Sequence, residues 1–309
     1  MNVNTREFGL GRLVVNFQMS LGVLNGGHAV QEAQRTEPGV AVADQPHGHE
    51  LVAIPMAWTL ASSFGLSDRL AVDVTLPVHA SVIDAGFTDL NHGTIGGFDS
   101  IHHRDETVAG IGDLRIGLVV GGVLDSELGG FRLTGRVGLS LPTGAVEDDP
   151  FVLGENGQHH QHTFFGSGTF MPELRLDVSY SWTDVSLLGW VDTRLSLYEG
   201  PKSYRPSSVV SGGVGVGSGF GLDRWMFSLG QEVFHEKAAK WSGTPAENSG
   251  RTQLLLALAV HWQVEDSWSL SFTAKTPYLT WTEGEPFDFP FLGVLGVSWG
   301  ANLMRQSEE

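Results

Sequence analysis

The sequence predicts an all-β fold: a single up-and-down antiparallel transmembrane β-barrel of about twelve strands, with short periplasmic turns and long extracellular loops. Three observations carry this expectation. Apolar and polar residues alternate along one segment after another, and side chains alternate faces along a strand, so each segment has one apolar and one polar face. Connections between segments alternate between short turns and long polar loops. Aromatic residues gather at the short-turn ends of the segments, on the apolar face.

The first strand, Arg12 to Leu24, sets Leu13, Val15, Phe17, Met19, Leu21 and Val23 against Arg12, Asn16, Gln18 and Ser20. A polar segment from Asn25 to Glu50 precedes a second strand, in which Val52, Ile54, Met56, Trp58 and Leu60 share a face. Gly65 to Asp68 turns into a third, where Leu70, Val72, Val74, Leu76 and Val78 oppose Arg69, Asp73, Thr75 and His79. Ala80 to Ile111 reads as a loop of about thirty residues. The next two strands form a hairpin around Asp-Ser-Glu-Leu-Gly-Gly. Its arms set Leu114, Ile116, Leu118 and Val120 against Asp113, Arg115 and Gly117, and Phe131, Leu133, Val137 and Leu139 against Arg132, Thr134, Arg136 and Ser140.

A long loop then runs from Pro142 to about Gly168. The sixth strand places Leu174, Leu176, Val178, Tyr180 and Trp182 opposite Glu173, Arg175, Asp177 and Ser179, and the seventh carries Leu187 and Val191 opposite Asp192 and Arg194. A Gly-rich eighth strand, Ser208 to Phe220, turns into the ninth, Arg224 to Phe234. After the loop His235 to Gly250 come a tenth strand with Leu254, Leu256, Leu258, Val260 and Trp262, an eleventh from Trp268 to Lys275, and a last one ending at Leu303. Residues 1–309 thus form one barrel domain, with 1–11 as a periplasmic N-terminal segment and 305–309 as a C-terminal tail.

Composition narrows the class. The chain has 309 residues, a net charge of -17 and no Cys, so thiol chemistry and a disulfide framework are both excluded. Nucleic acid is not an expected partner, because phosphate binding needs concentrated Lys and Arg, and no basic run is present. No apolar run approaches the roughly 18 residues of a spanning helix. The N-terminus lacks the basic and apolar regions of a secretory signal, so an exported chain is expected to have lost its signal ahead of this sequence. The expected partner is the lipid bilayer of a Gram-negative outer membrane, and the sequence leaves oligomeric state open. Phe64, Phe131, Trp182, Trp225, Trp262, Trp268 and Trp299 read as a periplasmic aromatic girdle.

GIGDLRIGL, then GLSLPTG closing the following strand, then GSGTFMPELRLDVSYS resemble, in order and spacing, motifs of the outer-membrane barrel family named for the meta-pathway of phenol degradation. The resemblance is carried by residues 110 to 182. It implies an outer-membrane transporter that passes small molecules, aromatic compounds among them.

Inward positions of the strands carry Arg12, Arg69, Asp73, Asp113, Arg115, Arg132, Arg136, Glu173, Arg175, Asp177, Asp192, Arg194, Glu232 and Lys275. An Arg or Lys facing lipid near the midplane costs roughly 2 to 4 kcal/mol, so these charges are expected to face the lumen. They allow two readings: a polar pathway for a solute, or a network of Arg and carboxylate pairs that fills a narrow barrel.

Histidine is concentrated as well. Of twelve, all but His261 fall in or beside the long loops: His28, His47, His49, His79, His92, His102, His103, His159, His160, His162 and His235. Imidazole suits Zn, Cu and Ni, and His47-Gly-His49, His102-His103 and His159-His160-Gln-His162 put several ligands within short spans. The expected function is therefore a channel or transporter for a small solute, either an aromatic or hydrophobic compound or a divalent metal ion. The alternative is a closed barrel that binds metal or serves a structural role without transport. No cofactor is required on either reading. No nucleotide motif is present, and His261 has no Ser or acid placed to form a hydrolytic site, so an enzyme is not expected and there is no catalytic residue to name.

Overall fold

The computed structural model describes residues 9–31, 47–89, 91–95, 104–126, 129–156, 158–160, 163–246, 249–283 and 288–304. Its strands are β1 (Arg12–Gln31), β2 (His47–Gly65), β3 (Leu70–Thr88), β4 (Glu106–Ile111), β5 (Leu114–Ser126), β6 (Gly129–Leu141), β7 (Met171–Trp182) and β8 (Val185–Arg194). They continue with β9 (Tyr204–Arg205), β10 (Val209–Ser218), β11 (Trp225–Glu236), β12 (Lys240–Trp241), β13 (Thr244–Pro245), β14 (Arg251–Glu265), β15 (Trp268–Thr282) and β16 (Asp288–Asn302). One short helix, α1 (Pro150–Glu155), lies in the loop after β6.

Thirteen of these strands form one antiparallel sheet. It closes because β1 pairs with both β16 and β2, and β2 pairs with β3. β5 pairs with β3 over Leu70–Thr75 and β4 pairs with it over Val78–Ile83, so β4 and β5 are two halves of one stave and the barrel has twelve. Closure removes the unpaired edges that could not be satisfied inside a bilayer.

The alternation read from the sequence sets which side faces out. Val120, Val137, Val214 and Leu258 are each more than half exposed and belong to the apolar face of their strands. An outer surface of that kind is stable only against lipid. Its lower end carries the aromatic belt: Trp225 stacks on Trp262 with centroids 5.1 Å apart, Trp268 lies against Trp299 at 6.4 Å, and Trp182 lies against Tyr180 at 5.8 Å.

Several strands reach further than their apolar alternation suggests. β1 continues beyond Leu24 to Gln31 and β3 to Thr88, and β4 occupies part of the segment read as a loop between Ala80 and Ile111. Their upper ends carry His, Asp and Gly, because above the lipid boundary neither face need be apolar. His28, His47, His49 and His235 consequently sit in strands rather than in loops, while His79 lies in β3 as its alternation predicts.

Stave height is uneven. β1, β2 and β3 span 19 or 20 residues, whereas β7, β8 and β10 span 10 to 12. Over this low wall the described residues of the loops 142–170, 195–208 and 237–250 fold together. β9, β12 and β13 make a three-stranded sheet there. Trp241, Ala239 and Ala246 are buried in it, with Phe164, Tyr204 and Val146 packed against them. Tyr204 lies 4.6 Å from the Trp241 ring and 4.9 Å from Phe164. This cap is a small core of its own, separate from the barrel.

Candidate functional site

The candidate site is the lumen, which holds a cavity of about 530 Å³ at mid-height. Its walls are unequal. On β3, β6, β7, β8, β11 and β15 the inward positions bear Asp73, Arg132, Arg136, Arg175, Asp177, Trp190, Glu232 and Lys275, whereas β1, β2 and β16 offer Asn16, Gln18, Ala61, Ser63 and Val294.

The charged side chains are tied to their wall. Arg136 donates Nε and Nη2 to Asp73 at 2.9 to 3.0 Å and Nη1 to Glu173 at 2.7 Å. The carboxylates come from β3 and β7, so the guanidinium of β6 must cross β5 to reach Asp73. It does so over Gly117, where an added Cβ would lie 2.6 Å from Asp73 Oδ1 and 2.9 Å from Arg136 Nε. Gly138 gives similar room, its Cβ position being 2.6 Å from Arg136 Nη1. Absence of two side chains thus lets a bidentate, charge-assisted pair lie flat on the barrel wall.

The same device recurs on β10. Trp190 of β8 and Glu232 of β11 are both register partners of Gly213, and a Cβ there would meet the indole Nε1 at 2.8 Å. The indole therefore lies across bare backbone. Arg175 stands 5.1 Å from its centroid and Lys275 5.9 Å. Arg175 is held by Asp177 at 2.6 and 2.8 Å, and Lys275 by Glu232 at 2.6 Å.

Not every residue expected in the lumen lines this cavity. Arg115, Glu173, Asp192 and Arg194 occupy the extracellular half of the same wall, Glu173 beside Arg194 in register and Arg175 beside Asp192. Arg12 stands at the periplasmic end of β1, next to Gly300. Arg69 is exposed in the turn between β2 and β3, because the inward alternation stops where the chain leaves the sheet. Asp113 has a different task. Its carboxylate accepts the N–H groups of Gly144 at 3.0 Å and Ser167 at 2.9 Å, while Thr143 Oγ1 accepts Leu114 N–H and donates to Gly112 O.

The segments GIGD, PTG and GSGT therefore meet at the break between β4 and β5 and fasten the loop 142–170 to the barrel. Gly144 and Gly166 approach so closely there that a Cβ on Gly166 would stand 2.2 Å from Gly144 O. Trp190 was not among the residues expected from the sequence; it sits at an inward position, next to the Gly-rich strand, and that pairing was its only sequence signal.

The histidines are dispersed. His79 stacks on Phe165, with centroids 5.2 Å apart. His159 is exposed and His160 is buried, its Nδ1 bonded to Gln158 O. His102, His103 and His162 lie outside the described residues, as do the side chains of His47 and His49. Among the described residues no three His or carboxylate groups converge as metal ligands.

A closed sheet with an apolar outer belt, aromatic residues at one rim and charges turned inward is the construction of an outer-membrane-type β-barrel. Among solved structures, the COG4313 outer membrane channel from Pseudomonas putida F1 shares this fold with a TM-score of 0.64 and 12% identity, over 97% of this chain and 100% of that one. The toluene transporter TodX of P. putida aligns over 96% of this chain and 91% of its own, with a TM-score of 0.40 and 7% identity, too distant to bear on this chain. No protein-family model and no curated protein matches the sequence.

Proposed function

We propose that this chain is an outer-membrane channel for a small, aromatic or otherwise amphipathic solute, related to the phenol meta-pathway barrels whose motifs it resembles. The observation that carries the reading is the arrangement of charges over Gly117, Gly138 and Gly213. A filled barrel would set its Arg and carboxylate pairs across the axis. Here each pair joins positions on one strand or on strands no more than two staves apart, and β1, β2 and β16 present small or neutral side chains to a cavity of about 530 Å³. Polar walls with paired charges suit a solute that must shed water without meeting a strong fixed field. The 12% identity to a solved outer membrane channel is consistent with this use of the fold.

Planar-bilayer recording on the purified barrel tests the proposal. Stepwise conductance is expected, and Ala61→Trp, which fills the cavity from the small-residue wall, should reduce it. A silent bilayer with folded protein would overturn the channel reading.

A further inference from the structure

The ion-pair network leaves one cavity-lining cation unused. Arg136, Arg175 and Lys275 each hold a carboxylate. Arg132, on the same face of β6 and bordering the same cavity, makes no ion pair or side-chain hydrogen bond among the described residues, and its Nε is shut from solvent without an acceptor. This half-buried guanidinium has no counter-charge of its own, so an anion arriving in the cavity would be drawn to it.

Trp190 borders that cavity too. Through the register Arg132–Ser179–Leu188 it stands two staves away and two residues further along β8. Strand spacing and rise put the two backbones about 12 Å apart. Both side chains border the one cavity, so a solute in it can meet the guanidinium with an acid group and, on the surface that Arg175 and Lys275 leave uncovered, the indole with a ring. Thr134 and Ser179, also on the lining, add hydroxyls between them.

From this geometry we infer that the solute is an aromatic carboxylate, whose anion pairs with Arg132 while its ring packs against Trp190. The assignment rests on the channel reading and sharpens it to one substrate class. It also makes a demanding claim, since a chain with a net charge of -17 would by itself favour cations at its mouth. A preference for anions must then arise in the lumen.

The test is the reversal potential of single channels in a sodium benzoate gradient at neutral pH, repeated with sodium acetate and with phenyltrimethylammonium chloride. Wild-type channels should prefer benzoate to sodium, and should pass benzoate more readily than acetate. Arg132→Gln should lower the benzoate preference about tenfold, the scale of one charge-assisted contact, while Arg132→Lys retains most of it. Trp190→Leu should bring benzoate down to acetate. Heat-modified gel migration verifies that each variant is a folded barrel. A conducting wild-type channel that prefers sodium or phenyltrimethylammonium, or a preference that Arg132→Gln leaves unmoved, overturns this assignment and leaves the channel reading standing. A silent wild-type bilayer overturns both.

Discussion

Arg136 and Asp73 are joined over the bare backbone of Gly117, with all three contacts between 2.9 and 3.0 Å. The pair needs the missing side chain: any Cβ would fall within 3 Å of both partners. Gly117→Val should therefore push the pair off the wall and into the cavity. Overpacking of this kind costs about 1 to 3 kcal/mol, measurable as a lower urea midpoint of the refolded barrel, and single-channel conductance should fall with it. Gly135→Val is the control, since it belongs to the outward set of β6 and a Cβ there meets nothing within 4 Å. Equal conductance loss in both variants would count against the wall-pair explanation.

Asp113 gives a second prediction. Its two oxygens take the N–H groups of Gly144 and Ser167, and the side chain is 9% exposed, so Asp113→Ala strands two backbone donors. The local loss should be about 2 kcal/mol or more, confined to the loop 142–170 rather than shared by the barrel. Limited proteolysis should cut that loop faster in the variant, with unchanged heat-modified migration of the intact barrel. Equal protection of the loop in both proteins would show that Asp113 is not its anchor.

The barrel was legible in the sequence because lipid imposes a period of two on every stave and a turn imposes a break. That logic placed Leu114 to Val120 and Phe131 to Leu139 correctly, and it located the aromatic rim at Trp225, Trp262, Trp268 and Trp299. It failed where the constraint ends. Above the lipid boundary the alternation of β1 and β3 loses its apolar face, so His28 and the residues after His79 read as loop although the ladder continues. Inward parity alone also could not separate Asp113, used as a loop anchor, from Asp73, used in the lumen. What distinguishes them is the partner each finds across the fold, and Gly117, Gly144 and Gly166 matter by what approaches them rather than by their local sequence.

His160 should make the mouth loops sensitive to mild acid. Burial holds its imidazole below the ordinary value of 6.5, opposed by the Gln158 carbonyl bond and reinforced by Arg104 and His159. A lowered folded-state value means that the stabilising contribution is complete above 6.5 and is lost as pH falls from there through the folded value. Hydrogen exchange of residues 158–160 and 163–167 should therefore speed up between neutral pH and about pH 5 after correction for intrinsic rates, and His160→Asn should flatten the dependence. A wild-type profile no steeper than that of the variant would remove His160 as the cause.

The cap over the low wall stands on Trp241, which is 3% exposed and lies against Tyr204 at 4.6 Å and Phe164 at 5.7 Å. Truncating a buried Trp to Ala costs about 3 to 5 kcal/mol, more than a three-stranded sheet of two-residue strands can absorb. Trp241→Ala should accordingly melt the cap while the twelve staves, which share no core with it, keep their stability. Tyr204 supplies the readout. Burial, with Glu236 adding to it, raises its phenol well above the ordinary value of 10.0. Since the folded value is the higher one, cap stability is complete below the ordinary value and is lost as alkali carries the pH through the folded one. An ultraviolet titration of the wild-type barrel should show a late phenol step that Tyr204→Phe abolishes and Trp241→Ala moves down toward the ordinary range. A late step that survives Trp241→Ala would mean that Tyr204 is buried by the barrel wall rather than by the cap.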